Sequence, residues 1–158
     1  MAYRETRNLE ASILDFITDN LAEDGWNGIR VEKSFAEVYK GTLPCICLNA
    51  VDIRPVRLEI GSKTHIKYYT INIRIFAKSD GSRLDLSDWL FEELEDDLDY
   101  YKYTITNGVT TGKQISGKII ITRWLENGKE LTNTENLELE DRYRHLLSFE
   151  CRIEICGG

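Results

Sequence analysis

Hydrophobic and polar positions alternate along this chain with two different periods. Leu9, Ile13, Phe16, Ile17 and Leu21 fall at i, i+4, i+7, i+8 and i+12, the spacing of one helical face. They predict a helix over residues 4–23, closed by Asp24-Gly25 with Gly25 as the residue that leaves the helix. From residue 29 to 77 the period drops to two. Short strands are expected at 29–33, at 44–51 (an apolar run entered through Pro44) and at 56–60, with Gly61-Ser62-Lys63 as a turn. A long strand follows at 66–77. Tyr69, Ile71, Ile73, Ile75 and Ala77 share one face, and Tyr68, Thr70, Asn72, Arg74 and Phe76 share the other. The first face reads as core and the second as mostly wet.

Asp80-Gly81-Ser82 interrupts the strand, and Ser82 with Asp85 resembles a capping box. A second helix is expected over residues 83–101. Leu84, Leu90, Phe91, Leu94, Leu98 and Tyr101 fall on one arc of its wheel. Asp85, Asp88, Glu92, Glu95, Asp96 and Asp99 line its flank, and no base occurs between Arg83 and Lys102. Trp89 falls opposite Phe91, away from the apolar arc. Two readings stay open for it: a side chain tucked under the chain, or an interface anchor. Asn107-Gly108 and Thr111-Gly112 mark a loop. A strand is expected at 114–125, and Glu126-Asn127-Gly128-Lys129 is a hairpin-type turn signal. Residues 131–141 are polar and too long for a tight turn. The last strand, 147–155, alternates Leu147, Phe149, Cys151, Ile153 and Ile155 with Ser148, Glu150, Arg152 and Glu154.

The predicted order is α-β-β-β-β-α-β-β in a single domain spanning 1–158. Short connections favour a mainly antiparallel sheet with two helices on one face, an α+β fold. Ile71, Ile73, Phe149 and Ile153 should be buried, with Phe91 and Leu94 packed over them. The 158 residues suffice for one core without staples. Acids outnumber bases 27 to 20, for a net charge of −7. That argues against a dedicated phosphate-binding surface. The amphipathic start argues against a cleaved signal peptide, and no apolar run is long enough to span a membrane.

Catalytic constellations are missing from the sequence. It contains no G-x-G-x-x-G, P-loop, G-x-S-x-G or H-E-x-x-H motif. The nearest approach to a metal-nuclease site is Asp52, Glu59 and Lys63, but the turn expected at Gly61-Ser62 separates the last two. The acidic run 92–99 lacks the glycine and loop pattern of a calcium site. Cys45, Cys47, Cys151 and Cys156 fit a zinc site poorly, with C-x-C spacing, two distant thiols and isolated His65 and His145. They read as small buried apolar side chains. No cofactor is expected.

The order of elements carries a resemblance. It comprises the amphipathic first helix, strands ending in the long run Tyr68-Tyr-Thr-Ile-Asn-Ile-Arg-Ile-Phe-Ala77, the acidic run Leu84-Asp-Leu-Ser-Asp-Trp-Leu-Phe-Glu-Glu-Leu-Glu-Asp-Asp-Leu98, and closing strands. This layout resembles the tail-terminator or tail-completion proteins of long-tailed bacteriophages over nearly the whole chain. The family layout does not require the insert at 125–141. The resemblance implies a structural virion protein of the tail or neck, assembled in the host cytoplasm, with no catalytic residue. It implies a homo-oligomeric ring, a hexamer, that caps the tail tube, meets the head connector protein and lets duplex DNA pass without holding it. Trp89, Leu131, Asn133, Asn136 and Leu137 are then the interface candidates, and Asp85, Glu92, Asp96 and Asp99 the channel-lining candidates. The alternatives are another neck, head-completion or adaptor protein of a phage, or a small metal-dependent nuclease.

Overall fold

Residues 4–33, 35–38, 40–57, 65–130 and 143–155 are described in a computed structural model of the chain. The elements are α1 (Glu5–Glu23), β1 (Arg30–Glu32), α2 (Phe35–Val38), β2 (Cys45–Arg57), β3 (His65–Phe76), α3 (Asp80–Glu93), β4 (Leu98–Thr106), β5 (Val109–Lys129) and β6 (Arg144–Ile155). The strands form one sheet in the order β1-β2-β3-β6-β5-β4. Only the three-residue β1 runs parallel to its neighbour; the other pairs are antiparallel.

Alternation along β3 sets the two faces. Ile71 lies opposite Ala50 and Phe149, and Ile73 opposite Leu48 and Leu147. The shared face buries Tyr69, Ile71, Ile73, Ile75, Leu147, Phe149 and Cys151. Leu9, Ile13, Ile17 and Leu21 from α1 join it in one cluster with Leu86 and Leu90 from α3 and with Leu94. Both long helices therefore cover the same face, and the fold is α+β with six strands. Ile153, expected in the core, is only half-buried. Pairing of β3 with β6 stops at Tyr69 and Cys151, so beyond that point β6 has β5 alone beside it among the described residues.

The opposite face is mostly polar. At one corner α2 and the turn after it close over it, burying Val38 and Leu43 against Cys45, Cys47 and Phe76. Elsewhere polar side chains satisfy one another across strands. Ser148 Oγ donates to Asn72 Oδ1 at 2.7 Å. The buried Glu150 accepts from Arg54 at 3.0 Å and faces Arg123 at 3.6 Å. Arg74 and Arg144 both pair with Glu130.

Several elements differ from the periodic reading. β2 is one continuous strand through 45–57, so the 44–51 run continues directly into Val56, with a bulge between Ala50 and Asp52 where two segments had been expected. The turn expected at 61–63 lies outside the described residues. α3 starts earlier than expected, because Ser79 is its N-cap: the Ser79 hydroxyl accepts from Ser82 N at 3.2 Å. It also ends at Glu93, and 98–106 is strand. Leu94, Leu98 and Tyr101 fit a helical face, but Leu98 and Tyr100 are both buried in the sheet. The aromatic and β-branched stretch 100–106 favours the pleated alternative. Asn127-Gly128 is not a turn either; it lies within β5, paired with Leu147 and Leu146. The tight turn is Asn107-Gly108, both at positive φ (53° and 79°), joining Thr106 to Val109.

Both borders of the sheet carry backbone positions that are already hydrogen-bonded. On β4, the backbone N–H of Tyr101 donates to Ser12 Oγ of α1 at 2.9 Å. On β2, Ala50 N–H donates to Glu10 of α1 at 3.0 Å and Ile53 N–H to the side chain of Asp52 at 2.9 Å, while Pro55 has no N–H. Two hairpins run past the six-stranded body. Among the described residues, 65–68 of β3 pair only with β2, and β5 meets β6 only from Gly117 onward. At Gly117 a Cβ would overlap the Glu154 carbonyl of β6, so glycine is needed where the ribbon joins the sheet.

Phe149 lies fully buried between the two helices and the sheet. Phe149→Ala should lower stability by about 3–5 kcal/mol in denaturant unfolding. A loss below about 1 kcal/mol would place this residue on the opposite face of β6.

Candidate functional site

The acidic second helix is oriented by the residues it buries. Arg83, Leu86, Ser87 and Leu90 face inward. Arg83 is held by two partners: Nε donates to Asp80 at 3.0 Å, and Nη1 lies 2.6 Å from His145 Nδ1 on β6. Nε2 of His145 is 2.7 Å from Asn127 Oδ1. The arginine can only donate, so Nδ1 accepts and Nε2–H donates to Asn127, which fixes one neutral tautomer. Burial, then the nearby Arg83 charge, pushes the His145 pKa down, with Asp88 opposing weakly. This buried polar relay explains why the apolar arc is rotated from its expected position. Leu84, placed on that arc by periodicity, is 46% exposed.

With 83, 86, 87 and 90 inside, Asp85, Asp88 and Glu92 form one exposed stripe along α3. Asp85 and Glu92 thus stay together as surface acids. Asp96 and Asp99 leave that flank, because the helix stops at Glu93. Asp96 lies in the following turn, and Asp99 is on β4, where Lys118 Nζ donates to it at 2.6 Å. The expected flank of six carboxylates on one helix is therefore broken after Glu92.

Trp89 is engaged within the chain. Its Nε1–H donates to Asp24 Oδ2 at 2.8 Å, and its ring lies 6.0 Å from the Trp26 ring. It packs under the segment that follows α1, so it is not a free anchor. Phe91, on the other flank, stacks on Trp124 at 4.7 Å, and Trp124 meets Phe149 at 5.2 Å. Leu131, Asn133, Asn136 and Leu137 lie outside the described residues.

Asp24 also has an acidic neighbour in Glu93, whose pKa is raised by burial and then by the Asp24 carboxylate beside it. Neither α1 nor α3 has a base in its last turn. Residues 4–24 and 80–97 together hold fourteen carboxylates against three arginines. The other described residues hold eight carboxylates against fifteen bases. The helical layer is thus strongly negative and the sheet layer positive, a segregation that the net charge hides.

No group of three or more His, Cys, Asp or Glu side chains among the described residues is placed to hold a metal ion. Asp52 is exposed and bonded to its neighbour's N–H; Glu59 and Lys63 lie outside the described residues. Cys45, Cys47 and Cys151 are free and buried, and burial pushes the Cys45 thiol up to about 11 and the Cys151 thiol to about 12. Cys156 lies outside the described residues. A polar crevice of about 160 Å³ between α1 and the start of β4 has its charges cross-paired, Lys113 with Asp15 at 3.7 Å and Lys118 with Asp99. No described helix is long and apolar enough to cross a membrane.

Two outcomes follow from this packing. Trp89→Ala should cost about 1–3 kcal/mol in thermal or denaturant unfolding, because it removes a partly buried ring. An unchanged midpoint would leave Trp89 without a structural role. His145 is neutral in the fold, while the unfolded chain titrates near pH 6.5. Below that value the unfolded chain binds more protons, so this part of the stability is present above pH 6.5 and lost on acidification. The melting temperature should fall less between pH 7.5 and 5 in His145→Gln than in the unsubstituted protein. Equal falls would mean that His145 does not titrate with folding. No protein-family model matches this chain, and no curated protein matches its sequence.

Proposed function

We propose that the chain is a structural protein of a long-tailed phage. It forms a ring, expected to be a hexamer, that terminates the tail tube and joins it to the head connector. The observation that carries this reading is the charge segregation: one exposed helical stripe of Asp85, Asp88 and Glu92 on a molecule whose strands are basic. The layout of elements that resembles the tail-terminator family supports it.

The physics of a DNA conduit asks for such a surface. A passing duplex must not be retained, and phosphates are held by lysine and arginine through release of counterions. A wall of carboxylates repels the duplex and keeps it moving. In this ring the α3 stripe faces the bore and the basic strands face neighbouring subunits or the tube. Asp96 and Asp99, displaced from the stripe, are not needed for the wall.

Native mass and negative-stain images of the purified protein, with and without tail tubes, test the reading. A closed ring is expected. Changing Asp85, Asp88 and Glu92 to Lys should make that ring retain duplex DNA at low salt, with retention falling steeply as salt rises. A protein that stays monomeric at every concentration and ignores tail tubes would overturn the reading in favour of an adaptor.

A further inference from the structure

The start of α3 is fastened to the sheet at one point. From Lys78 to Asp85, Arg83 is the only buried residue, and Leu86 is the next side chain to enter the core. The chain leaves the sheet at Ala77, whose N–H donates to the Tyr143 carbonyl at 3.1 Å. From there Lys78, Ser79, Asp80 and Gly81 are exposed, and the Ser79 cap on Ser82 also lies at the surface. Arg83 is the fourth residue of the helix. That is a poor place for a cation, because the helix dipole puts positive charge at this end. Arg83 stays inside because Asp80 takes its Nε–H at 3.0 Å and the neutral His145 ring takes its Nη1–H at 2.6 Å.

Asp80 is exposed and reaches Arg83 from within the same turn, so it travels with the helix. His145 is the partner that belongs to the sheet: it is buried on β6, and its Nε2–H is held by Asn127 of β5 at 2.7 Å. That second bond fixes the ring, so the Nδ1 lone pair is the one acceptor it offers Arg83. One proton from solvent on Nδ1 removes that lone pair and leaves N–H facing N–H between two buried cations. The surroundings do not compensate. Besides Arg83 and Asp80, α3 brings Asp88, which opposes weakly. β5 brings Lys129, in register with His145, and β3 brings the apolar Ile75. Burial and the Arg83 charge push the histidine down from 6.5, in keeping with this geometry.

We infer that His145 is an acid-sensitive latch on α3: when its ring takes a second proton, Arg83 turns out to solvent and residues 78–85 leave the sheet. Leu86, Leu90 and Leu94 keep the rest of the helix in place. The released segment gives up one buried side chain and a short run of helical hydrogen bonds. The released form titrates near pH 6.5 and the latched form below it, so the released form binds more protons. The latch is therefore closed above pH 6.5 and opens as the pH falls further. Asp85 moves with the released turns, whereas Asp88 and Glu92 stay, so acid breaks the exposed stripe. The latch does not depend on the ring reading.

Backbone hydrogen exchange at pH 7.5 and pH 5, corrected for the intrinsic effect of pH, tests the latch. The amides of Arg83, Leu84 and Asp85 report the start of α3, and those of Ile71 and Ile73 on β3 report the whole fold. Acidification should lower protection of the first group by about tenfold or more, and that of the second group by clearly less. His145→Asn keeps an acceptor for Arg83 but cannot take the proton, and Arg83→Met removes the cation. Each variant should lose the difference between the two groups. Circular dichroism at pH 7.5 checks that each folds, and if one does not, the other decides. Equal losses in both groups of the unsubstituted protein, or a selective loss at 83–85 that persists in either folded variant, would overturn the latch.

Discussion

Everything else in this molecule depends on the fact that two helices cover only one face of a six-stranded sheet. α1 and α3 place leucines and isoleucines on the face set by Tyr69, Ile71, Ile73 and Ile75. Among the described residues the other face has only the small α2 corner as cover, and its strands satisfy polar groups among themselves. Glu150 is the clearest case: it is buried in a sheet surface and tolerable there because Arg54 and Arg123 stand on either side. The same one-sidedness separates the charges. Carboxylates collect on the outer surfaces of the helices, and bases collect on the strands and hairpins.

How much of this was legible in the sequence depended on whether a single periodicity acted alone. The long strand and the last strand were readable, because alternating Ile71, Ile73 and Phe149 admit no competing helical pattern. The first helix was readable for the converse reason. The second helix was misread at both ends. Leu94, Leu98 and Tyr101 satisfy a helical spacing, and only burial of Leu98 and Tyr100 in the sheet decides against it. Its orientation was hidden as well, since the inward face contains Arg83 and Ser87, which no hydrophobic pattern marks. The partner that makes Arg83 an inside residue, His145, is 62 residues away in sequence. The two Asn-Gly pairs show the same limit. Asn107-Gly108 makes the turn, whereas Asn127-Gly128 stays extended, with the Asn127 side chain accepting from His145.

The candidate site was legible in kind but not in position. An acid-rich second helix was plain from composition, and the structure retains Asp85 and Glu92 on one exposed stripe. Asp96 and Asp99 were lost from it with the helix boundary. Trp89 was ambiguous in the sequence because a wheel cannot show Trp26 and Asp24, which reach it from the end of another helix. The basic character of the hairpin was hidden inside a net charge of −7 and emerged only when the layers were separated.

The guarded strand edges have a consequence for how such a molecule behaves when crowded. Ser12 occupies the backbone of Tyr101 on one side. On the other, Glu10 and Asp52 take the N–H groups of Ala50 and Ile53, and Pro55 supplies none. A foreign strand arriving at these positions finds the hydrogen-bonding groups already taken, which hinders sideways growth of the sheet there. At these positions copies brought together at high density meet through side chains, whose grip weakens as ionic strength rises. Such a border lets a protein accumulate in quantity with less risk of strand-to-strand aggregation.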